Sequence, residues 1–381
     1  MVTPRVGMVG GGQLARMTYQ AAIPFGVTLR VLAERADDGA ALVGGEVEIG
    51  SHTDLEALRR FASGCDVVTF DHELAPPELL TQLEAEGHVL RPSPAAMRFA
   101  QDKLWQRDRF GALGLPVPAH ARVATVEEVE AFARANGGWP TVMKAARGGY
   151  DGRGVWAVRS PEEAAAVLAE GGRGGLTLFA EATVDLEREV AVLIARRPGG
   201  QSVVYPVVET VQENGMCREL VAPAPIDPVV AAHARNIAER ISDAIDVTGI
   251  MAVELFVARG GVVLVNEIAT RPHNSGHHTI EGCVTSQFEN HVRGVLDWPL
   301  GSTAAMAPAV VTVNVVGGPS SGDPRANLPA ALAIPGVHVH LYGKGPRPGR
   351  KLGHVTALGA DAGEVRERAE RAAAILVGEP A

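Results

Sequence analysis

The chain has few cysteines, no unbroken apolar run and no excess of positive charge, and each shortage removes a class of protein. Only three cysteines, Cys65, Cys217 and Cys283, occur in 381 residues. They are odd in number, far apart and outside any CxxC pair, so neither a disulfide framework nor a cysteine metal motif is expected. The longest uncharged stretch, Pro299 to Gly322, is interrupted by Pro308, Asn314 and Gly317-Gly318-Pro319. It reads as strands and not as a membrane span. The start, Met1-Val2-Thr3-Pro4-Arg5, lacks a signal-peptide pattern, so a reducing cytoplasmic setting is the expectation. With 35 Lys+Arg against 44 Asp+Glu the net charge is -9, which argues against broad nucleic-acid or anionic-membrane binding.

What is present fits a soluble globular protein. Hydrophobic residues make up 46% and charged residues 21%, enough for a sizeable core and too apolar for general disorder. The length allows one oversized domain or two to three ordinary ones. The 44 glycines are about 12% of the chain against roughly 7% usually, so tight turns or backbone close to a ligand are expected.

Residues 5–9 form a short apolar run ending in Gly10-Gly11-Gly12, followed by a helical pattern and a strand from Val27 to Ala33. Strand, glycine turn, helix, strand is an α/β start. Cys65 to Phe70 is another buried strand, Pro76-Pro77 opens a helix, and the first boundary falls near residue 100. In the second unit, Thr125 and Glu128 form a capping box, as do Ser160 and Glu163. Strands are expected at 140–145, 155–159, 176–181, 189–196 and 203–211. A long helix over roughly 228–246 and a hairpin near 250–268 follow. The last part, from about 303, is strand-rich and closes with a helix near 361–376. No internal repeat is visible.

The hairpin is the most informative segment. Gly260-Gly261 suits a two-residue primed turn, because both centres can take positive φ. Arg259 then faces Val262, and Glu254 lies opposite Glu267 with Cβ atoms roughly 4.5–5.5 Å apart. Two facing carboxylates in an apolar setting repel, so one holds a proton or a cation sits between them. Mg²⁺ favours one or two carboxylates plus phosphate oxygens and waters, which points to a Mg²⁺–nucleotide site. The competing reading is a pair of exposed strand glutamates in a register slipped by one.

Two glycine-rich segments follow the same logic. Lys144 ends a strand and Arg147-Gly148-Gly149-Tyr150-Asp151-Gly152-Arg153-Gly154 comes after it. Flexible glycines let N–H groups reach phosphate oxygens, and a strand lysine can pair with them. The GK[ST] ending of a Walker loop is absent, and an ordinary hairpin turn with Asp151-Gly152 at its tip explains the segment equally well. Near the start, Gly10-x-Gly12-x-x-Ala15 matches the dinucleotide fingerprint, with Glu34 about 20 residues on. That keeps a nicotinamide dehydrogenase open, beside a helix N-terminus holding another phosphate and a purely structural turn.

After the second glutamate, Asn266-Glu267-Ile268-Ala269-Thr270-Arg271-Pro272-His273-Asn274-Ser275-Gly276-His277-His278 is dense in hydrogen-bonding groups. Its arginine could hold an anion bidentately. Zinc is not favoured, because no cysteine or acidic partner stands at ligand spacing from the histidines. Arg347, Arg350 and Lys351 cluster in a proline-bounded turn, either a solvated basic turn or a clamp on an anionic substrate.

Together these residues resemble the ATP-grasp superfamily and, within it, the N5-carboxyaminoimidazole ribonucleotide synthases of purine biosynthesis. The resemblance rests on Gly10-Gly11-Gly12-Gln13-Leu14, Ala100-Gln101-Asp102-Lys103, the run Gly148 to Gly154, Asn266-Glu267 through His277, Ser286-Gln287-Phe288-Glu289, and Arg347 to Lys351. It covers nearly the whole chain. It implies an α/β ATP-grasp fold with an N-terminal doubly wound, Rossmann-like domain (1–100), an ATP-grasp domain (101–302, with a mobile subdomain about 121–185) and a small C-terminal β-rich domain (303–381).

The resemblance further implies ATP, bicarbonate and 5-aminoimidazole ribonucleotide as substrates, Mg²⁺ as cofactor and a homodimer. Lys103 and Lys144 would sit on the ATP phosphates, with the Gly149–Gly154 loop (Tyr150, Asp151, Gly152, Arg153) folding over nucleotide and substrate. Glu181 would face the adenine with the Ala182, Thr183 and Val184 backbone beside it. Glu189 would bind the ribose hydroxyls, and Asn266 would lie at the nucleotide. Glu254 and Glu267 would hold Mg²⁺. Arg271, Asn274, Arg350 and Lys351 would hold bicarbonate or carboxyphosphate. Tyr150, Asp151, Arg153 and Lys351 would contact the aminoimidazole ribonucleotide, with Gln13 near its cleft. Gln212 stands where relatives often have a nucleotide-side His, and Thr270 where many have Pro. The rivals are a formate-dependent ligase of the same superfamily, a dehydrogenase and a non-catalytic nucleotide-binding module.

Overall fold

The computed structural model describes residues 3–149, 152–213, 215–319 and 321–379. Tyr150 and Asp151, expected at the tip of the glycine loop, lie outside the described residues. Among the described residues the strands form three sheets.

The first sheet holds β1 (Arg5–Val9), β2 (Thr28–Ala33), β3 (Glu46–Ile49) and β4 (Val67–Phe70), parallel throughout in the order β3-β2-β1-β4. Alternate residues of β1 serve opposite faces. Val6 and Met8 pack with Ala15 of α1 (Gln13–Ala22). Val9 joins the cluster of Leu58 and Phe61 from α2 (Leu55–Ser63) and Leu80 from α3 (Pro77–Ala85). Helices on both faces explain why the inner strand β1 and its neighbour β4 are apolar on both sides, and make the unit doubly wound. Two short helices lead out of it, α4 (Pro94–Gln101) and α5 (Lys103–Ala112). Asp102 caps α5 by accepting from the Trp105 N–H at 3.0 Å.

The second sheet is antiparallel. It holds β5 (His120–Arg122), β6 (Thr141–Ala145), β7 (Val155–Val158) and β8 (Leu178–Ala182) in the order β5-β8-β6-β7. Val129 and Phe132 of α6 (Val126–Ala135) and Ala164 and Val167 of α7 (Pro161–Arg173) pack on its Met143, Ala145 and Ala180. The capping box of Thr125 and Glu128 forms as the sequence predicts.

The third sheet begins with β9 (Leu186–Arg196), β10 (Ser202–Val204), β11 (Val208–Glu213) and β12 (Met216–Ala222). The single strand expected over 203–211 is split, because Pro206 has no N–H to give a ladder. After α8 (Pro228–Ile245) come β13 (Gly249–Ala258) and β14 (Val262–Ala269). The short α9 (Thr279–Gly282) and α10 (Gln287–Val295) follow. The C-terminal β15 (Ala309–Val316), β16 (Val337–Leu341) and β17 (Lys351–Gly359) do not build a sheet of their own. β12 pairs with β15, so they extend the central sheet in the order β14-β13-β9-β11-β12-β15-β17-β16. Between β15 and β16 lies α11 (Leu328–Leu332), and α12 (Ala362–Val377) covers the extension through Val365, Ala369 and Ala372.

Face parity on the central sheet places the site. Val190, Val192, Met251, Val253 and Val265 point to the α8 side with Ile237 and Ile241. Ala191, Leu193, Ala252 and Ala269 point the other way. On that second face, two residues further along each strand, stand Glu189 and Glu254, where the apolar cover ends. No helix among the described residues is long and apolar enough to cross a membrane.

Candidate active site

Glu254 lies opposite Glu267, though the hairpin reaches that pairing by a different route from the one expected. The turn is longer by one residue: Ala258, not Arg259, pairs with Val262, and the Gly261 N–H donates to the Ala258 carbonyl at 3.0 Å. Gly260 and Gly261 do take positive φ, at 84° and 78°. A bulge between Glu254 and Leu255 in the pairing then absorbs Asn266 and restores the glutamate pair.

Two carboxylates about 5 Å apart repel by roughly 3 kcal/mol at an effective dielectric near 20. The groups respond unequally. Burial, then Glu267 and Glu189, push Glu254 well above the usual carboxylate range. Burial also pushes on Glu267, but the Lys103 ammonium outweighs it and holds Glu267 below that range. Lys103 Nζ donates directly to Glu267 Oε2, and His273 Nε2 stands 3.9 Å from Glu254 Oε1. Lys103 is the first residue of α5, and its N–H donates to the Ala146 carbonyl at 2.8 Å. A site that needs a proton on one carboxylate is one that a divalent cation would relieve. Hard carboxylate oxygens suit Mg²⁺. Among the described residues no group of three or more His, Cys, Asp or Glu could hold a metal by itself, so further ligands would come from phosphate and water.

Lys144 sits on β6 with its side chain buried. Its Nζ donates to Glu181 Oε1 at 2.5 Å and to Asn266 Oδ1 at 3.4 Å, and lies 5.8 Å from the centre of the Phe256 ring. Burial pulls Lys144 below its ordinary value, with Glu181 pulling the other way. The other Glu181 oxygen accepts from Arg107 Nε at 2.8 Å. Both carboxylate oxygens of Glu181 are therefore engaged with cations. Ala182 follows on β8, its N–H donating to Ala119, while the Thr183 hydroxyl donates to Pro140 and Val184 is half-buried. Burial, partly offset by Lys144, raises Glu189 to about 7. Gln212 sits on β11 beyond a bulge at Val211, half-buried and paired in register with Cys217.

The glycine loop joins β6 to β7 as a hairpin, with Gly148, Gly152 and Gly154 at positive φ. A Cβ on Gly149 would stand 2.7 Å from the Arg153 carbonyl, so the loop closes on itself there. Arg153 is exposed. Across the loop, Gly215 approaches so closely that a Cβ on it would lie 2.9 Å from Gly152 Cα.

Arg271 follows β14. Its Nε donates to Glu73 at 2.9 Å, and Nη1 donates to the Pro272 carbonyl at 3.0 Å. Gln287 braces the next turn, accepting from the His273 N–H at 2.9 Å and donating to its carbonyl at 2.7 Å. Asn274 opens a short 3₁₀ turn, and its buried Oδ1 finds no hydrogen-bond partner among the described residues. Thr270 is buried, and its hydroxyl is likewise unpartnered.

The C-terminal basic turn reaches the same cleft. Lys344 Nζ donates to Gln13 Oε1 at 2.5 Å, and Asp71 feels the charges of both Arg271 and Lys344. Lys351 begins β17 close enough to depress the buried His277. Arg350 is half-buried and donates to the Gly345 carbonyl at 3.2 Å. Glu73, Asp71, Arg107 and Lys344 belong to none of the motifs found in the sequence. The one signal for Asp71 and Glu73 was position, at the carboxyl end of β4, where open α/β sheets gather ligands.

The first glycine turn is already filled. The Gly12 N–H donates to Asp71 Oδ2 at 2.6 Å, and a Cβ on Gly10 would lie 2.0 Å from Asp71 Oδ1. The protein's own carboxylate occupies the anion position that a dinucleotide pyrophosphate would need. The dehydrogenase reading fails on this geometry.

Paired acids and two lysines under a glycine hairpin define an ATP-grasp fold. Residues 108–288 match the ATP-grasp domain profile, 3–101 the ribonucleotide synthetase preATP-grasp domain, and 310–368 the phosphoribosylaminoimidazole carboxylase C-terminal domain. The chain belongs to the N5-carboxyaminoimidazole ribonucleotide synthase family. It is 51% identical to the synthase of Mycobacterium tuberculosis, covering 98% of this chain and 87% of that one. Identity to the Corynebacterium ammoniagenes synthase is 44%, covering 98% and 92%. The Thermus thermophilus synthetase structure superposes with a TM-score of 0.87 at 38% identity, covering 98% and 99%. The Aspergillus clavatus enzyme, solved with ADP and 5-aminoimidazole ribonucleotide, gives 0.89 at 31%, covering 98% of each chain.

Proposed function

We propose that this chain carboxylates 5-aminoimidazole ribonucleotide, using ATP and bicarbonate and giving N5-carboxyaminoimidazole ribonucleotide, ADP and phosphate. The observation that carries the reading is Glu254 facing Glu267 with Lys103 on the latter, beside a loop that presents Arg271.

Bicarbonate is an unreactive anion that an amine does not attack at a useful rate. A bicarbonate oxygen attacks the γ-phosphorus, the bond to ADP breaks, and carboxyphosphate forms. The exocyclic amine then bonds to the carboxyl carbon, phosphate leaves and the amine loses a proton. Neither step needs a protein nucleophile. Phosphoryl transfer is promoted by positioning and charge neutralisation. Lys103 and Lys144 meet the phosphates. Arg271 and Asn274 hold bicarbonate, the buried Asn274 Oδ1 being free to accept a hydrogen bond from its hydroxyl. Arg350, Lys351 and Gln13 line the cleft for the ribonucleotide, and family likeness assigns Tyr150, Asp151 and Arg153 to the same substrate. Glu189, Gln212, the Glu181 backbone and Ala182 to Val184 belong to the nucleoside end, the Glu181 carboxylate being taken by Arg107 and Lys144. Glu254 and Glu267 would hold Mg²⁺, which neutralises phosphate charge when bound. Water must be kept from carboxyphosphate, and a glycine hairpin that closes over the cleft suits that demand. Family likeness supports the homodimer, and the three scattered cysteines support a reducing, cytoplasmic setting.

The test is phosphate release with each substrate omitted in turn. Release should require ATP, bicarbonate and the aminoimidazole ribonucleotide together. Equal ATPase rates with and without the ribonucleotide, or formate replacing bicarbonate, would defeat the assignment.

A further inference from the structure

Arg107, Glu181 and Lys144 form a linear charge chain in the interior, with 1%, 2% and 6% of their surfaces exposed. Arg107 takes one carboxylate oxygen at 2.8 Å and Lys144 the other at 2.5 Å. The three residues come from separate places. Arg107 lies on α5, whose Phe110 is part of the central-sheet core, whereas Lys144 and Glu181 lie on β6 and β8 of the second sheet. Arg107 is itself held in aim: its Nη1 donates to Gln106 Oε1 at 3.1 Å, and Gln106 donates to the Phe99 carbonyl at 2.7 Å.

Charge counting gives the arginine a task. A buried Lys144–Glu181 pair alone is neutral, and a lysine so matched has little left for a polyphosphate. Adding Arg107 leaves the trio with one net positive charge. Sharing also weakens the grip of Glu181 on the lysine, because the carboxylate charge is divided between two donors. Truncating Arg107 would leave a buried oxygen unpaired and drive Glu181 harder onto Lys144.

We infer that Arg107 is a positioning residue for the nucleotide: by occupying Glu181 it keeps the Lys144 ammonium available to the ATP phosphates. The inference rests on the proposed place of Lys144 at those phosphates. Arg107 touches neither substrate, so its effect passes through Glu181.

The experiment compares steady-state constants of Arg107→Met, Arg107→Lys, Lys144→Met and the double variant Arg107→Met/Glu181→Gln. Arg107→Met should raise the ATP KM about tenfold and leave the ribonucleotide KM within about twofold. Arg107→Lys should bring the ATP KM back to within about threefold of the parent. The decisive arm is the double variant. Removing the Glu181 charge frees Lys144, so its ATP KM should fall at least about threefold below that of Arg107→Met. An arginine that merely held the fold together would make the double variant worse than the single one. An unchanged ATP KM in Arg107→Met, or a double variant whose ATP KM is not below that of Arg107→Met, overturns the inference. If Arg107→Met does not fold, ADP affinity measured by calorimetry on Arg107→Lys and Arg107→Gln decides. Weaker binding by Gln than by Lys supports the inference, and equal binding overturns it. Lys144→Met separates the two failures. An unchanged ATP KM there removes the lysine from the phosphates, whereas a raised one beside a silent Arg107→Met removes only the role of the arginine.

Discussion

Glu73 and Arg271 stand 198 residues apart in the chain, yet their side chains meet at 2.9 Å. The contact joins the loop after the first parallel sheet to the loop after the hairpin. Both side chains are less than one-fifth exposed, at 18% and 19%, so the pair escapes most of the screening that makes surface ion pairs weak. One guanidinium edge is fixed by Glu73, and Nη1 is tied to the chain's own Pro272 carbonyl. Glu73→Gln keeps the shape and drops the charge. It should raise the bicarbonate KM about tenfold, near 1.4 kcal/mol. A lowered KM would show that Glu73 competes with the anion and does not aim the arginine.

The glutamate pair makes a separate prediction. Glu267→Gln removes the charge that Lys103 meets and half of the proposed Mg²⁺ grip. Turnover should fall by about a thousandfold, roughly 4 kcal/mol of transition-state stabilisation. The fold should stay intact and the melting temperature fall by a few degrees at most, because the Lys103–Glu267 pair that is lost is partly exposed, at 17% and 34%. Activity near the parent's, across a Mg²⁺ titration, would take the metal away from this hairpin.

How much of this was legible depended on whether one segment determined the outcome. The glutamate pair was readable because strand alternation and a glycine turn fix a register locally. The longer turn and the bulge at Asn266 were not, and they cancel only because two one-residue offsets oppose each other. The glycine fingerprint at Gly10–Ala15 misleads in sequence because its occupant, Asp71, arrives from a strand some 60 residues away. Arg107 and Glu73 were invisible for the same reason: each acts through a partner in another part of the fold. The C-terminal strands were recognised as strands, but nothing local says that β15 will pair with β12 and extend the central sheet.

His291 is one of the buried histidines that weaken the fold in acid. Its Nδ1 accepts from the Ile250 N–H at 3.1 Å, which leaves Nε2 protonated to donate to Thr69 Oγ1 at 2.9 Å. The neutral ring thus ties the first sheet to the central one. Burial depresses it from 6.5 to about 3. Below pH 6.5 the unfolded chain binds a proton that the folded one refuses. This contribution is complete above pH 6.5 and is lost as pH falls toward 3. At pH 5 the loss is about 2 kcal/mol. The buried His278 and the half-buried His72, both lowered to about 4 chiefly by desolvation, act in the same direction. Asp71 opposes them. Burial raises it to about 6, so its ionisation costs stability as pH rises through that value, by about 1 kcal/mol between pH 5 and 7.5. Urea unfolding of the parent and of His291→Gln at those two pH values reads the histidine's share of the pH difference. The difference should shrink by about 2 kcal/mol in His291→Gln. An unchanged difference would mean that His291 is not the group titrating.

The contact between Gly215 and Gly152 ties the β11–β12 turn to the nucleotide-side loop. Both glycines have positive φ, 76° and 77°, and no side chain fits between them. Gly215→Ala carries two penalties, a left-handed backbone strain of about 1 kcal/mol and a displaced glycine loop. Gly199 separates the two. Its φ is 85°, and a Cβ there meets nothing within 4 Å, so Gly199→Ala carries only the strain. Both variants should lose a few degrees of melting temperature, roughly what 1 kcal/mol yields in a chain of this size. Only Gly215→Ala should also raise the ATP KM, by about three- to tenfold, because the loop can no longer settle against the turn. Equal ATP constants in the two variants would show that the loop closes without support from this turn.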